Sequence, residues 1–181
     1  MNRGIVIVIG GLHGTGKSTC AKLLAEKLGL RYVSAGEIFR TVAKRKEMTI
    51  EEFSNYAEKH HEIDQEVDSR VIQASKEGNI VLEGQIAADL VDAPDLKIFL
   101  TAPEGVRIDR LSSRDGKSRE ESLRETRIRE ASERKRYKET YGIDVGNLKG
   151  YNLVIDTSKW TAESITAIIQ RAVDEYLRGK P

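Results

Sequence analysis

A chain of 181 residues carrying 30 basic and 29 acidic side chains has a formal net charge of +1, so no overall field draws it to nucleic acid or to a membrane surface. Hydrophobic residues make up 39%, enough at this length for one domain (1–181) with a sizeable core, and no apolar run is long enough to cross a bilayer. Met1-Asn2-Arg3 lead straight into a strand pattern, where a signal peptide needs a longer apolar stretch and a small-residue cleavage site; this points to a cytoplasmic protein. Cys20 is the sole cysteine, which excludes an internal disulfide. Within a helical pattern it reads as a small buried hydrophobe rather than a reactive thiol.

The chain opens on Ile5-Val6-Ile7-Val8-Ile9, a buried parallel strand over 4–10. Gly11-Leu12-His13-Gly14-Thr15-Gly16-Lys17-Ser18 follows and fits G-x-x-x-x-G-K-[ST], a loop whose N–H groups cradle nucleotide phosphates. Ala21, Leu24, Ala25 and Leu28 then mark a helix that Gly29 stops. Lys17 can reach the β- and γ-phosphates and the Ser18 hydroxyl can ligate Mg²⁺. His13 occupies a variable position of the loop and is given no side-chain role.

A second strand, 31–33, ends at Ser34-Ala35-Gly36-Glu37, where a helix begins with capping-box spacing. Free N–H groups there, with Ser34 and Arg40, can hold a monophosphate; the plainer reading is an N-cap and a surface arginine. Thr49-Ile50-Glu51-Glu52 is a second capping box. On the helix that follows His60-His61, Asp64 and Asp68 lie four residues apart; they can accept hydrogen bonds from a base or sugar, or form a solvated acidic face. The two histidines point apart on a helix, so they are no metal site.

The third strand, 79–83, ends on Glu83, placed either to order Mg²⁺-bound water or an acceptor, or to cap a helix. A fourth strand covers 96–101, and Pro103 suits the first turn of the next helix. Arg110 and Arg114 lie on that helix before a turn at Asp115-Gly116-Lys117, and Ser118-Arg119-Glu120-Glu121 starts another helix with a third capping box. The segment 118–139 is arginine-rich, with Glu120, Glu125 and Glu130 each four residues before an arginine, a pattern for a solvated helix. Arg129 and Arg136 share a face of it. Two arginine-bearing helices around a glycine turn describe a lid that closes on polyphosphate; RNA binding is the competing reading, weakened by the glutamates and the lack of a stacking platform. A last strand, 152–156, and a helix complete an alternating α/β order, which implies a parallel sheet covered on both faces.

Six segments carry a resemblance: Gly11 to Ser18, Ser34 to Arg40, Leu82-Glu83-Gly84, Arg129 to Tyr137, Tyr141 to Asp144 and Asp156 to Trp160. Together they make the chain similar, over nearly its whole length, to nucleoside monophosphate kinases, and above all to the cytidylate kinase family in its compact archaeal form. The resemblance implies a three-layer α/β/α P-loop fold on a five-stranded parallel sheet. It implies a mobile acceptor-binding region near 34–78 and a short arginine-rich lid near 110–121. It implies ATP with Mg²⁺ as donor, CMP or dCMP as acceptor, and direct in-line transfer. Carried over by position, Gly11 to Thr19 and Ser158 would contact ATP. Ser34, Gly36, Arg40, Asp64, Gln85 and Glu133 would contact the acceptor, and Ser18 and Glu83 the metal. Lys17, Arg110, Arg129 and Arg136 would carry the transfer. Nucleic acid and membrane are not implied as partners, and a monomer is feasible. The chain departs from the family in having Gln85 where an arginine is common, and in lacking the large bacterial insert. An adenylate or other small-metabolite kinase, and a non-catalytic ATP switch or RNA-associated protein, are the competing expectations.

Overall fold

The computed structural model describes residues 4–179; Met1-Asn2-Arg3, read as the lead into the first strand, and Lys180-Pro181 lie outside the described residues. Five strands form one parallel sheet in the order β2-β3-β1-β4-β5. They are β1 (Val6–Gly11), β2 (Arg31–Ser34), β3 (Ile80–Glu83), β4 (Leu96–Thr101) and β5 (Leu153–Asp156), within two residues of the expected bounds. Alternation along β1 sends Ile7 and Ile9 to one face and Val6 and Val8 to the other, and all four are fully buried. The first face is covered by α1 (Lys17–Leu28) and α8 (Ala162–Arg178) through Leu24, Ile165, Ile169 and Val173. The second is covered by α4 (Glu62–Lys76) and α5 (Ala87–Leu90) through Val71, Ala87 and Ala88.

α5 is a four-residue helix that no periodic signal announces. Two further helices, α2 (Ala35–Arg45) and α3 (Ile50–Ala57), join α4 around a third apolar cluster of Phe39, Val42, Ala43, Phe53, Ala57, Ile63 and Val67. The Phe39 and Phe53 rings sit 4.6 Å apart. All three capping serines or threonines accept the expected N3 N–H, and Thr49 forms the full reciprocal box with Glu52. Gly29 and Gly116 close α1 and α6 (Glu104–Asp115). Pro103 stands at the N-cap of α6 rather than inside its first turn.

α7 (Arg119–Tyr141) corrects the sequence reading most. The expected pairs Glu120–Arg124, Glu125–Arg129 and Glu130–Arg134 do not form. Glu125 instead holds Lys117 at 2.7 Å, and Glu130 holds the buried Arg107 of α6 at 2.6 Å. Arg107 offers Glu130 a drier partner than Arg134 would, while the Lys117–Glu125 pair stays about a third exposed. The helix is exposed or half-buried over most of its length but covers the cleft with one buried stripe, as suits a helix too polar for the core: Ser122, Thr126, Ser132, Glu133 and Arg136 are buried while Ile128 and Ala131 are exposed.

Candidate active site

β1 and β3 lie side by side with Ile9 opposite Glu83, so the phosphate loop and Glu83 emerge together at the carboxyl edge of the sheet. Strand order reverses about β1, which opens a crevice there. A cavity of about 1080 Å³ occupies it. Its walls are the loop 13–20, the start of α2, α4, the segment 83–87, α6 and α7.

The loop has its expected strand–loop–helix setting. Gly14 has φ +77°, and a Cβ there would meet the Arg107 carbonyl oxygen at 2.5 Å. Gly16, at φ +89°, caps α1, and nothing lies within 4 Å of where its Cβ would be. The loop is thus open on the side where an anion meets the helix N-terminus. Lys17 is enclosed, and its Nζ makes only a long contact of 3.4 Å with the Leu12 carbonyl oxygen. Burial lowers its pKa from the usual lysine value, against the pull of Glu83 and Glu133.

The two metal candidates meet. Ser18 Oγ donates to Glu83 Oε1 at 3.0 Å, and Glu83 is 2% exposed with Oε2 buried and unpartnered. A buried carboxyl oxygen without a partner is uncommon and marks a place for an ion or water. Among the described residues no group of three or more His, Cys, Asp or Glu could hold a metal by itself. Mg²⁺ needs only one or two protein oxygens beside phosphates and water, so this pair fits it.

Other candidates separate into cations with committed donors and cations with open ones. Arg136 is 2% exposed; its Nε and Nη2 donate to Asp64 at 2.8 and 3.4 Å, and its Nη1 to Ser132 Oγ at 2.8 Å and the Ser54 carbonyl at 3.4 Å. Asp64, read as free for base or sugar, is spent on that arginine. Arg110, read as a lid residue, donates to Thr157 Oγ1 at 2.9 Å and Thr157 O at 2.7 Å, beside Gly14. Arg114 closes on Asp115. Arg40, in contrast, lines the cleft with no hydrogen bond or ion pair among the described residues. Arg129 donates only through Nε, to Glu133 at 3.2 Å, leaving both Nη groups open.

Ser34 is buried off the cleft wall; its hydroxyl donates to Glu83 Oε1 and accepts the Glu37 N–H at 3.1 Å. The N-cap reading therefore accounts for the side chain, and Gly36 and Arg40 are what that turn presents to the cavity. Gln85 lines the cavity with Oε1 buried and unpartnered. Glu133, carried over as an acceptor contact, is 6% exposed and gives Oε2 to His13 and Oε1 to Arg129. Ser158 lies outside the cavity wall, its N–H on Asp156; the wall residue is Thr157, 3% exposed, which donates to the Thr15 carbonyl at 3.0 Å. The sequence reading missed Arg107, which belongs to no periodic or motif position, and gave the His13 side chain no role because it fills a variable position of the loop; Thr157 stands with Asp156 and Ser158 in the segment that the resemblance puts near the ATP adenine.

Asp68 lines the cavity at 8% exposure and accepts from Tyr141 OH at 2.5 Å. Burial raises its carboxyl to about 6, the Tyr141 hydrogen bond opposing and Asp64 adding to the rise. An acid raised in the folded state stabilises the fold fully below its unfolded pKa, and loses that contribution as pH rises through the folded value. Asp68→Asn should therefore gain on the parent between pH 4.5 and 7.5, by about 2 kcal/mol. Denaturant midpoints at the two pH values measure it, and an unchanged difference overturns the assignment.

The comparisons meet this geometry. The profile of the cytidylate kinase-like family matches residues 6–159. The chain belongs to that family. It is 50% identical over 170 residues to the cytidylate kinase of Pyrococcus horikoshii, covering 94% of this chain and 88% of that one. It is 49% identical over 174 residues to the cytidylate kinase of Methanocaldococcus jannaschii, covering 94% and 98%. Among solved structures it resembles a gluconokinase from Sinorhizobium meliloti (TM-score 0.58, 14% identity, 99% and 100% covered) and the shikimate kinase of Aquifex aeolicus (TM-score 0.56, 16% identity, 97% and 100% covered). At that identity they support the P-loop kinase fold. No described helix is long and apolar enough to cross a membrane.

Proposed function

We propose that this chain transfers the γ-phosphoryl group of ATP to CMP, and to dCMP, giving ADP and the nucleoside diphosphate by direct in-line displacement. The observation that carries the reading is the distribution of open cations in one cleft. Lys17 stands at the phosphate loop, Arg40 at the start of α2, and Arg129 on α7, each with donors that the protein leaves unspent. A single-nucleotide switch has no use for Arg40 across the cavity from the loop; a two-phosphate transfer site does. Family membership and the names of the relatives at about half identity supply the acceptor.

In this reading the loop N–H groups and Lys17 hold the donor phosphates, and Arg40, with the Gln85 amide, orients the acceptor phosphate. Arg129 meets the charge that spreads over the transferring oxygens, as phosphoryl transfer depends on positioning and electrostatics rather than on a covalent intermediate. The Ser18 hydroxyl and Glu83 carboxyl would hold Mg²⁺, which when bound supplies charge neutralisation at the β- and γ-phosphates. Arg110 and Thr157 form the wall nearest the loop and shape the donor end, while Arg136 keeps α7 on α4. A modest charge balance supports small-molecule substrates over nucleic acid as partners. ADP release measured with ATP and a panel of CMP, dCMP, UMP, AMP and shikimate tests the reading. CMP and dCMP should give the highest kcat/KM, and a preference for AMP or shikimate overturns it.

A further inference from the structure

The side chain of His13 reaches out of the phosphate loop to α7. Its Nε2–H donates to Glu133 Oε2 at 2.7 Å, with the two side chains 16% and 8% exposed. Burial lowers the imidazole pKa, with the Glu133 carboxylate opposing it. Burial pushes the Glu133 carboxyl up, but the His13 contact and Arg129 outweigh it and keep the group ionised. The second oxygen of Glu133 takes Arg129 Nε. A second tether runs beside the first: Arg107 Nη1 donates both to the His13 carbonyl at 2.8 Å and to Glu130 at 2.6 Å. Position 13 is thus tied to α7 twice on the C-terminal side of Arg129, by its side chain to Glu133 and by its carbonyl through Arg107 to Glu130.

An exposed i,i+4 pair fixes an arginine only loosely, at a few tenths of a kcal/mol. The Glu133–Arg129 pair differs in that its carboxylate is itself held by a buried donor from the donor-phosphate loop. We propose that His13 and Glu133 are positioning residues for the transfer step: His13 fixes the Glu133 carboxylate to the loop, and the carboxylate aims the open Nη groups of Arg129 at the transferring phosphoryl oxygens. Binding through Nε suits this, because it orients the guanidinium and leaves the phosphate-facing nitrogens unspent. Arg129 is thereby registered to the donor rather than to the turn at Gly116. The inference rests on the phosphotransfer reading above and adds residues that reading does not require.

A double-mutant cycle on the intact chain tests it, run with ATP and whichever acceptor the parent uses best. His13→Ala and Glu133→Gln should each lower kcat by roughly 30- to 100-fold, the scale of a misplaced catalytic group, with KM for both substrates within about three-fold. His13→Gln, whose amide can donate to Glu133, should recover most of that loss. In an Arg129→Ala background, His13→Ala should change kcat by less than about three-fold, because its effect passes through the missing arginine. Equal losses in both backgrounds, or a rise in the KM for ATP with kcat intact, overturn the relay and leave the function standing. A different best acceptor in the parent corrects the acceptor and leaves the relay standing, and no turnover with any acceptor overturns both.

Discussion

Replacing Lys17 with methionine lowers kcat by roughly 10³-fold, the scale of removing one preorganised charge from a transferring group, and leaves the KM for CMP within a few-fold. The ammonium sits enclosed at the mouth of α1 with one long contact to Leu12 O, so phosphate oxygens are the partners it lacks. The same burial lowers its pKa, which means that the charged form burdens the folded protein. Methionine removes that burden while keeping the length of the side chain, so the variant should melt no lower than the parent. The two measurements together separate chemistry from folding. Full turnover in the variant would sink the assignment of Lys17, and a large drop in melting temperature would show that the loss was structural.

Arg136→Met has a different signature. Arg136 and Asp64 are 2% and 4% exposed, so solvent screens the pair little. Removing one partner leaves the Asp64 carboxylate buried without its arginine. Breaking a buried pair in this way destabilises a fold by about 3–5 kcal/mol, whereas replacing both partners with apolar groups is often neutral. Chemical denaturation should show that loss for Arg136→Met and its partial recovery in Asp64→Leu/Arg136→Met. A loss below about 1 kcal/mol would mean that Arg136 is held for catalysis and not for the wall.

The difference between Lys17 and Arg136 marks where sequence reading succeeds. The donor half was legible because every part of it is local: strand, glycines, lysine and helix start lie within a few residues, and backbone geometry demands those residue types. The sheet was legible for a similar reason, since a buried parallel strand shows as an apolar run with no need of its neighbours. The arginines were not. Arg110, Arg129 and Arg136 look alike in sequence, and their roles divide on what stands opposite: Thr157, Glu133 and Asp64, between 4 and 72 residues away. The buried stripe of α7 runs through Ser122, Thr126, Glu133 and Arg136, spaced as a core-facing helix is but in polar residues. Hydropathy patterning therefore reads the helix inside out, with Ile128 and Ala131 on the wet side.

That polar stripe also shapes how the molecule can move. The sheet core and the cluster around Phe39 and Phe53 share Ala35 and Ile38 at their border, and α7 is bound to the second by Arg136–Asp64, Lys135–Glu58 and Tyr141–Asp68 and to the phosphate loop by His13–Glu133. Parting α7 from the phosphate loop therefore exchanges the His13–Glu133 and Arg107–Glu130 contacts for water. What holds the long arginine helix against the donor side is thus charge and hydrogen bonding, contacts that water can replace one for one.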